Sequence, residues 1–338
     1  MIIIRPIRSS DYDALHQIAV ESGHGFTSLP VNEGLLLNRI NGANQSFHQE
    51  TNFDGSESYL FVMEDSETGE VVGTSGIEAA VGLHDAFYHY HVGKVVHSSR
   101  ELNIYNNVEI LALNNDYTGT TELCTLFLRN DYRANNNGRF LSKFRFLFMA
   151  EHKARFNNTV IAEMRGVSDE NGDSPFWQWL EEHFFSMDFP TADYLTGIGK
   201  KSFIAELMPK YPIYVNLLSK EAQQVIGKVH EDTVPALRLL NSEGFVSRGY
   251  VDIFDAGPTV ECELENIKTV RNSAQYQVAI GDVIDGERRM IINQDVRDFR
   301  AVYQSININK DTRIATMTAD AAKALQIEAG DTVRLAKA

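Results

Sequence analysis

The sequence predicts a chain of the α/β class, built in the α+β manner: a mixed, twisted sheet flanked by helices, then a small β-rich, barrel-like domain. Three observations carry that expectation. A strand-like start is followed by two stretches of helical period and a hairpin signal. A near-continuous apolar run at 123–128 then passes through a short polar turn into another helical period. From about residue 265 the helical periods give way to short strand-like runs.

Residues 2–7 read as the first strand. Ser10 and Asp11 offer a cap for a helix to about residue 21, with Leu15, Ile18 and Ala19 on its inner face. Residues 23–30 read as a loop, 32–40 as a second helix, and the polar stretch 41–58 as an exposed connection. Residues 59–64 and 71–81 then pair as a hairpin across Ser66-Glu-Thr-Gly69. Residues 84–118, rich in His, Tyr and Asn, are an insertion beyond a minimal core, suited to a substrate mouth or to plain surface packing.

The strand at 123–128 leads to a helix in which Phe140, Leu141, Phe144, Leu147 and Phe148 recur at helical spacing. Between them Arg133, Asn136 and Gly138 take the first, fourth and sixth places of an R-x-x-G-x-G turn, with Asn in the first Gly place. Asn tolerates left-handed backbone better than most residues. Free N–H groups and the positive dipole end at such a helix start suit a pyrophosphate. Residues 159–164 read as another strand, and the helix-plus-strand expected next has two candidates, 173–185 and 233–245. Residues 167–220 hold a second insertion. Strand-like runs begin at Val278, Arg289, Arg300 and Thr312, and a short helix precedes Gly330-Asp-Thr-Val-Arg-Leu335. The expected division is 1–264 and 265–338.

A formal net charge of −15 argues against nucleic acid as a partner, which needs a basic surface. No apolar run approaches the ~20 residues of a membrane span, and the start is too short and too charged for a signal peptide. Two cysteines, Cys124 and Cys262, make a disulfide framework unexpected and fit a reducing cytoplasm. His84, His89, His91 and His97 do not form a convincing metal set, and His89-Tyr-His91 reads as a solvent-facing pair.

The order strand, two helices, hairpin, buried strand, phosphate turn and helix resembles the GNAT superfamily of acyl-CoA-dependent N-acyltransferases. The pattern N-x-x-A-x-x-x-Y-x-x-x-G-F of that superfamily is met by Ala236, Gly244 and Phe245, with Thr233 for the Asn and Leu240 for the Tyr. In the other candidate helix Leu180 would hold the Tyr place. In GNAT enzymes that Tyr usually protonates the departing thiolate, so neither helix keeps the hydroxyl. His230, three residues before Thr233, offers an imidazole at the mouth of the second helix.

A series of exact blocks resembles, more narrowly, the arginine N-succinyltransferase family. They are Thr27-Ser-Leu-Pro30, Glu64-Asp-Ser-Glu-Thr-Gly69, Glu122-Leu-Cys-Thr-Leu-Phe-Leu128, Ala162-Glu-Met-Arg-Gly166 and Ser174-Pro-Phe-Trp177. Further along come Phe184-Phe-Ser-Met-Asp-Phe189, Phe203-Ile-Ala-Glu-Leu-Met-Pro209 and Asp252-Ile-Phe-Asp-Ala-Gly-Pro-Thr259. The resemblance implies that His230, in Val225-Ile-Gly-Lys-Val-His230, is the proton donor and that Leu126 contacts succinyl-CoA. Arg133, Asn136, Gly138 and Arg139 would then hold the pyrophosphate. The implied reaction moves the succinyl group of succinyl-CoA to the α-amino group of L-arginine, giving N2-succinyl-L-arginine and CoA. The implied enzyme is cytoplasmic and homo-oligomeric. It uses succinyl-CoA as a co-substrate, with no resident cofactor, metal, nucleic acid or membrane.

A guanidinium calls for carboxylates or carbonyls in bidentate geometry, and Glu163, Asp188, Glu206 and Asp255 sit in family-like blocks. The succinyl carboxylate calls for an Arg, a Lys or a helix start, and Arg165 is the candidate. Thr27 and Ser28 suit either carboxylate, or a turn. Two rival readings stay open. One is a related enzyme that acylates ornithine or another amine, or uses acetyl-CoA; the other is a GNAT-like module that binds arginine or CoA without turnover.

Overall fold

Burial of the apolar periods assembles one long sheet. The computed structural model describes residues 1–23, 28–50, 54–170, 172–200 and 202–338. β1 (Ile2–Pro6) leads to α1 (Tyr12–Ser22) and α2 (Glu33–His48). Asp11 does not cap α1 as expected, because its carboxylate is drawn inward. It accepts two hydrogen bonds from the Arg5 guanidinium, at 2.7 and 2.9 Å, and one from the Arg8 N–H at 2.7 Å. The expected exposed connection after residue 40 is also corrected. α2 runs on to His48, since Ala43 and Phe47 extend the stripe of Leu36 and Ile40 into the core, and Ser46 accepts from the N–H of Ser58.

β2 (Ser58–Asp65) and β3 (Glu70–Glu78) form the expected hairpin, and the first insertion is a longer one, β4 (His89–Ser99) with β5 (Ile104–Asn114). β6 (Thr121–Leu128), α3 (Asn137–Glu151) and β7 (Thr159–Glu163) follow. The second insertion packs α4 (Pro175–Leu180), α5 (Phe189–Gly197), α6 (Ser202–Leu207), β8 (Ile213–Tyr214) and α7 (Lys220–Val225) around buried Trp177. α8 (Val234–Glu243), β9 (Val246–Val251) and β10 (Pro258–Glu263) return to the sheet, β10 pairing antiparallel with both β7 and β9. Of the two candidate helix-plus-strand units, α8 with β9 therefore belongs to the core.

After α9 (Lys268–Asn272) come β11 (Ala274–Ile280), β12 (Glu287–Ile292), β13 (Ala301–Asn309), β14 (Ile314–Met317), α10 (Ala319–Leu325) and β15 (Thr332–Ala336). The order β12-β15-β11-β14-β13 closes on itself through the β12–β13 pairing, which makes a small barrel. The barrel is not a separate bead. β13 also pairs with β1, so one run of strands continues through β1-β2-β3-β6-β7-β10-β9-β4-β5-β8.

The main core is aromatic. The Phe61 ring stands edge-on to Phe47, Phe144, Phe148 and Phe299 at 4.9–5.3 Å between centroids. Each such side chain buried contributes about 1.5–3 kcal/mol. Phe299 enters this layer from the segment leading into β13, so the barrel shares the core that holds α3 in place. No helix among the described residues is long and apolar enough to cross a membrane.

Candidate active site

The first two residues of β6 pair in parallel with β7, Thr121 with Val160 and Glu122 with Ile161, and there the pairing stops. The reason lies three residues on. Thr125 has a left-handed backbone (φ 54°), where a β-branched residue costs about 1–3 kcal/mol, and the β3–β6 register shifts between Thr74 and Gly76. The resulting bulge turns β6 away from β7, and Leu126 is the next residue. Three side chains pin the bulge. Arg39 of α2 donates to Thr125 Oγ1 at 2.9 Å and pairs with Glu78 at 2.8 Å. Thr74 Oγ1 donates to the Thr125 carbonyl at 3.0 Å. Arg145 of α3, fully buried, donates to the carbonyls of Gly76 and Cys124, both at 3.3 Å. A side chain on Gly73 would meet the Phe127 carbonyl at 2.7 Å, so the close approach of β3 to β6 requires glycine there. The strand opening is thus a wedge with a bulged wall at Leu126, held open by groups behind it.

The turn after β6 delivers the second part. Asn135 (φ 53°) and Asn136 (φ 65°) are both left-handed, and α3 starts at Asn137, one residue earlier than expected. The first N–H to close onto the helix is that of Phe140, to the Asn136 carbonyl at 2.9 Å. The N–H groups of Gly138 and Arg139 lie ahead of that ladder at the positive end of the helix. Arg133 is fixed by its Nε donating to the Leu128 carbonyl at 2.9 Å. Arg133 and Arg139 are exposed, and neither meets a carboxylate among the described residues.

The other arm of the wedge carries His230. An antiparallel bridge joins Gly166 to Val229, and the His230 N–H donates to the Arg165 carbonyl at 2.9 Å. The imidazole Nδ1 accepts from the Asp232 N–H at 3.2 Å, which assigns the proton of the neutral ring to Nε2. Asp255 lashes this region together. Its buried carboxyl accepts from the N–H of Gly166 at 2.6 Å and of Gly257 at 2.8 Å, and burial beside Asp252 raises it well above the ordinary carboxylate range. A side chain on Gly166 would meet the Asp255 carbonyl at 2.5 Å, so nothing larger fits between the two loops.

Arg165 donates to Ser168 Oγ at 3.0 Å, while its buried Nε has no hydrogen-bond partner. Glu163, the last residue of β7 and two residues earlier, has Oε1 2.8 Å from His89 Nε2. His89 corrects the expectation of a solvent-facing pair. β4 lies between β9 and β5 rather than at an edge, so His89 is fully buried among Phe87, Tyr117 and Tyr250, and burial pushes its imidazole down to about 4. Asp188 caps α5 by accepting from the Thr191 N–H at 2.8 Å, Glu206 is exposed on α6, and Ser28 is half-buried. Thr27 lies outside the described residues. Both cysteines are free thiols, and burial pushes that of Cys124 up to about 12. Among the described residues no group of three or more His, Cys, Asp or Glu side chains is placed to hold a metal.

The structure therefore ties the backbone of His230 to that of Arg165, two residues along the chain from Glu163. It sets Leu126 on the bulge and gathers Arg133, Asn136, Gly138 and Arg139 at the start of α3. Asp188 and Glu206 stand on the second insertion. Sequence reasoning missed Arg39, Thr125 and Arg145. Arg145 alone left a signal, a cation amid Phe144, Phe146, Leu147 and Phe148.

The family described as arginine N-succinyltransferase beta subunit matches residues 2–269, and that described as its C-terminal domain matches 274–337. Arginine N-succinyltransferases of Escherichia coli and Escherichia fergusonii are each 50% identical over 339 positions, covering 100% of this chain and 98% of theirs. The solved arginine/ornithine succinyltransferase subunit AI from Pseudomonas aeruginosa superposes with a TM-score of 0.92 at 35% identity, covering 100% of this chain and 98% of that one.

Proposed function

This chain belongs to the arginine N-succinyltransferase family, and from that membership we propose that it transfers the succinyl group of succinyl-CoA to the α-amino group of L-arginine, releasing CoA. The observation that most supports this reading is the parting of β6 from β7 at Thr125, with His230 tied to the opposite arm. The pantetheine arm lies in the opening along the unpaired backbone past Glu122, and its thioester carbonyl faces the bulge at Leu126. A backbone N–H there stabilises the oxyanion that forms when the neutral amine attacks. His230 donates its Nε2 proton to the departing thiolate. Arg165 takes the succinyl carboxylate, Ser28 assists with a substrate carboxylate, and Glu163 takes a cationic group of arginine. Asp188, whose cap uses only Oδ1, is a further candidate for that cationic group. The pyrophosphate rests on Asn136, Gly138, Arg133 and Arg139.

The reading includes a cytoplasmic homo-oligomer that uses succinyl-CoA as a co-substrate and needs no metal, nucleic acid or membrane. Exposed Leu102 and Tyr105 on the β4–β5 hairpin support the association of copies. A thiol-release assay tests the function: succinyl-CoA with arginine turns over, and acetyl-CoA is poor. Ornithine is a second acceptor worth the same assay, since the Pseudomonas relative is named for both amino acids. Measurable CoA binding with no thiol release from any amine would overturn the enzymatic reading.

A further inference from the structure

We propose that the C-terminal barrel completes the coenzyme site, with Arg288 taking the 3′-phosphate of the adenosine end of succinyl-CoA. The proposal rests on the placement of the pyrophosphate at the start of α3 given above. A cavity of about 370 Å³ lies between that turn and the barrel. Asn135 and Asn137 form one wall, Arg288, Tyr303 and Gln304 the other, and Phe140 the floor.

Arg288 is an exposed cation that is nevertheless held in place. Its guanidinium sits 4.3 Å over the Tyr303 ring, and Nη2 donates to the Tyr303 carbonyl at 3.2 Å. The pairing of β12 with β13 sets this geometry, because Met290 is opposite Tyr303 and Arg288 is two residues away on the same face. No carboxylate pairs with Arg288 among the described residues, so its remaining N–H groups keep the planar fork that fits a phosphate. Arg133 and Arg139 are likewise without carboxylates on the facing turn. A chain of net charge −15 thus sets one uncompensated cation on this cavity, with Arg133 and Arg139 on the turn that supplies its other wall. Coenzyme A supplies the matching anions, since a single ribose separates its pyrophosphate from its 3′-phosphate.

Succinyl-CoA and its 3′-dephospho analogue, compared on the full-length enzyme and on Arg288→Ala, test this. The parent is expected to favour succinyl-CoA over the analogue by at least about tenfold in KM, as a charge-assisted bidentate contact implies. Arg288→Ala raises KM for succinyl-CoA to that of the analogue, with the change in KM rather than kcat, and Arg288→Lys restores part of the preference. A ratio of the two KM values equal in parent and Arg288→Ala overturns the proposal. Calorimetric titration with adenosine 3′,5′-bisphosphate keeps this separate from the assigned reaction. If the parent binds it and Arg288→Ala binds at least about tenfold more weakly, the site stands even where no amine is acylated. Equal affinity of the two, or no binding by the parent, sinks it.

Discussion

His230 holds two positions at once, and two substitutions separate them. Its ring accepts from the Asp232 N–H at 3.2 Å, capping the short turn that leads into α8, while Nε2 carries the proton that we propose goes to the departing thiolate. Asn places an oxygen on the same branch as Nδ1, so His230→Asn keeps the cap and the backbone bond to Arg165 but removes the acid. His230→Ala removes both. General-acid catalysis typically contributes ~10²–10⁴-fold, which is about 2.7–5.5 kcal/mol of barrier. Loss of a cap costs about 0.5–2 kcal/mol of stability. In a thiol-release assay with succinyl-CoA and arginine, both variants are expected to lose kcat by ~10²–10⁴-fold. In urea unfolding followed by circular dichroism, only His230→Ala shifts its midpoint. Retention of kcat to within about tenfold in His230→Asn would refute the acid; equal destabilisation of the two would refute the cap.

Two further outcomes follow from groups behind the site. Arg145→Met leaves the carbonyls of Gly76 and Cys124 without their donor, and at about 1–3 kcal/mol for each the expected loss is about 2–6 kcal/mol in urea unfolding, with a higher KM for succinyl-CoA; an unmoved midpoint counts against the pinning role. His89 is held at about 4 against an ordinary 6.5, so the unfolded chain takes up that proton first. Stability is therefore complete above about 6.5 and declines as pH falls toward about 4, by at most about 3 kcal/mol. His89→Gln flattens that decline, and identical parent and variant slopes between about pH 7 and about pH 5 would exclude it.

Apart from the strands of the first insertion, the order from β1 to α3 was legible because each element carries its own period: a buried stripe in α1, a hairpin turn at Ser66 to Gly69, and an apolar run into a polar turn. α2 past residue 40 was obscured because Asn41, Gly42, Asn44 and Gln45 are weak or polar, and only Ala43 and Phe47 extend the stripe. The left-handed turn at Asn136 and the helix after it could be read from local residue types. The bulge could not, since Thr125 adopts a backbone its side chain disfavours, and what holds it arrives from α2 and α3. The burial of His89 was equally hidden. An inserted hairpin is exposed or covered according to the edge it docks on, and nothing local specifies that β4 joins β9.

The junction of β1 with β13 bears on how the chain reaches this state. Ile3 and Ile4 pair on one side with β2, near in sequence, and on the other with Val302 and Ala301, close to the opposite end of the chain. During synthesis the amino-terminal sheet forms first, and it presents the Ile-rich strand as a raw edge until the barrel is made. Such an edge templates pairing with other chains. The barrel thus acts as a late-arriving guard against aggregation. A chain cut between β10 and β11 would keep most of the wedge and its histidine, yet is expected to collect in the insoluble fraction.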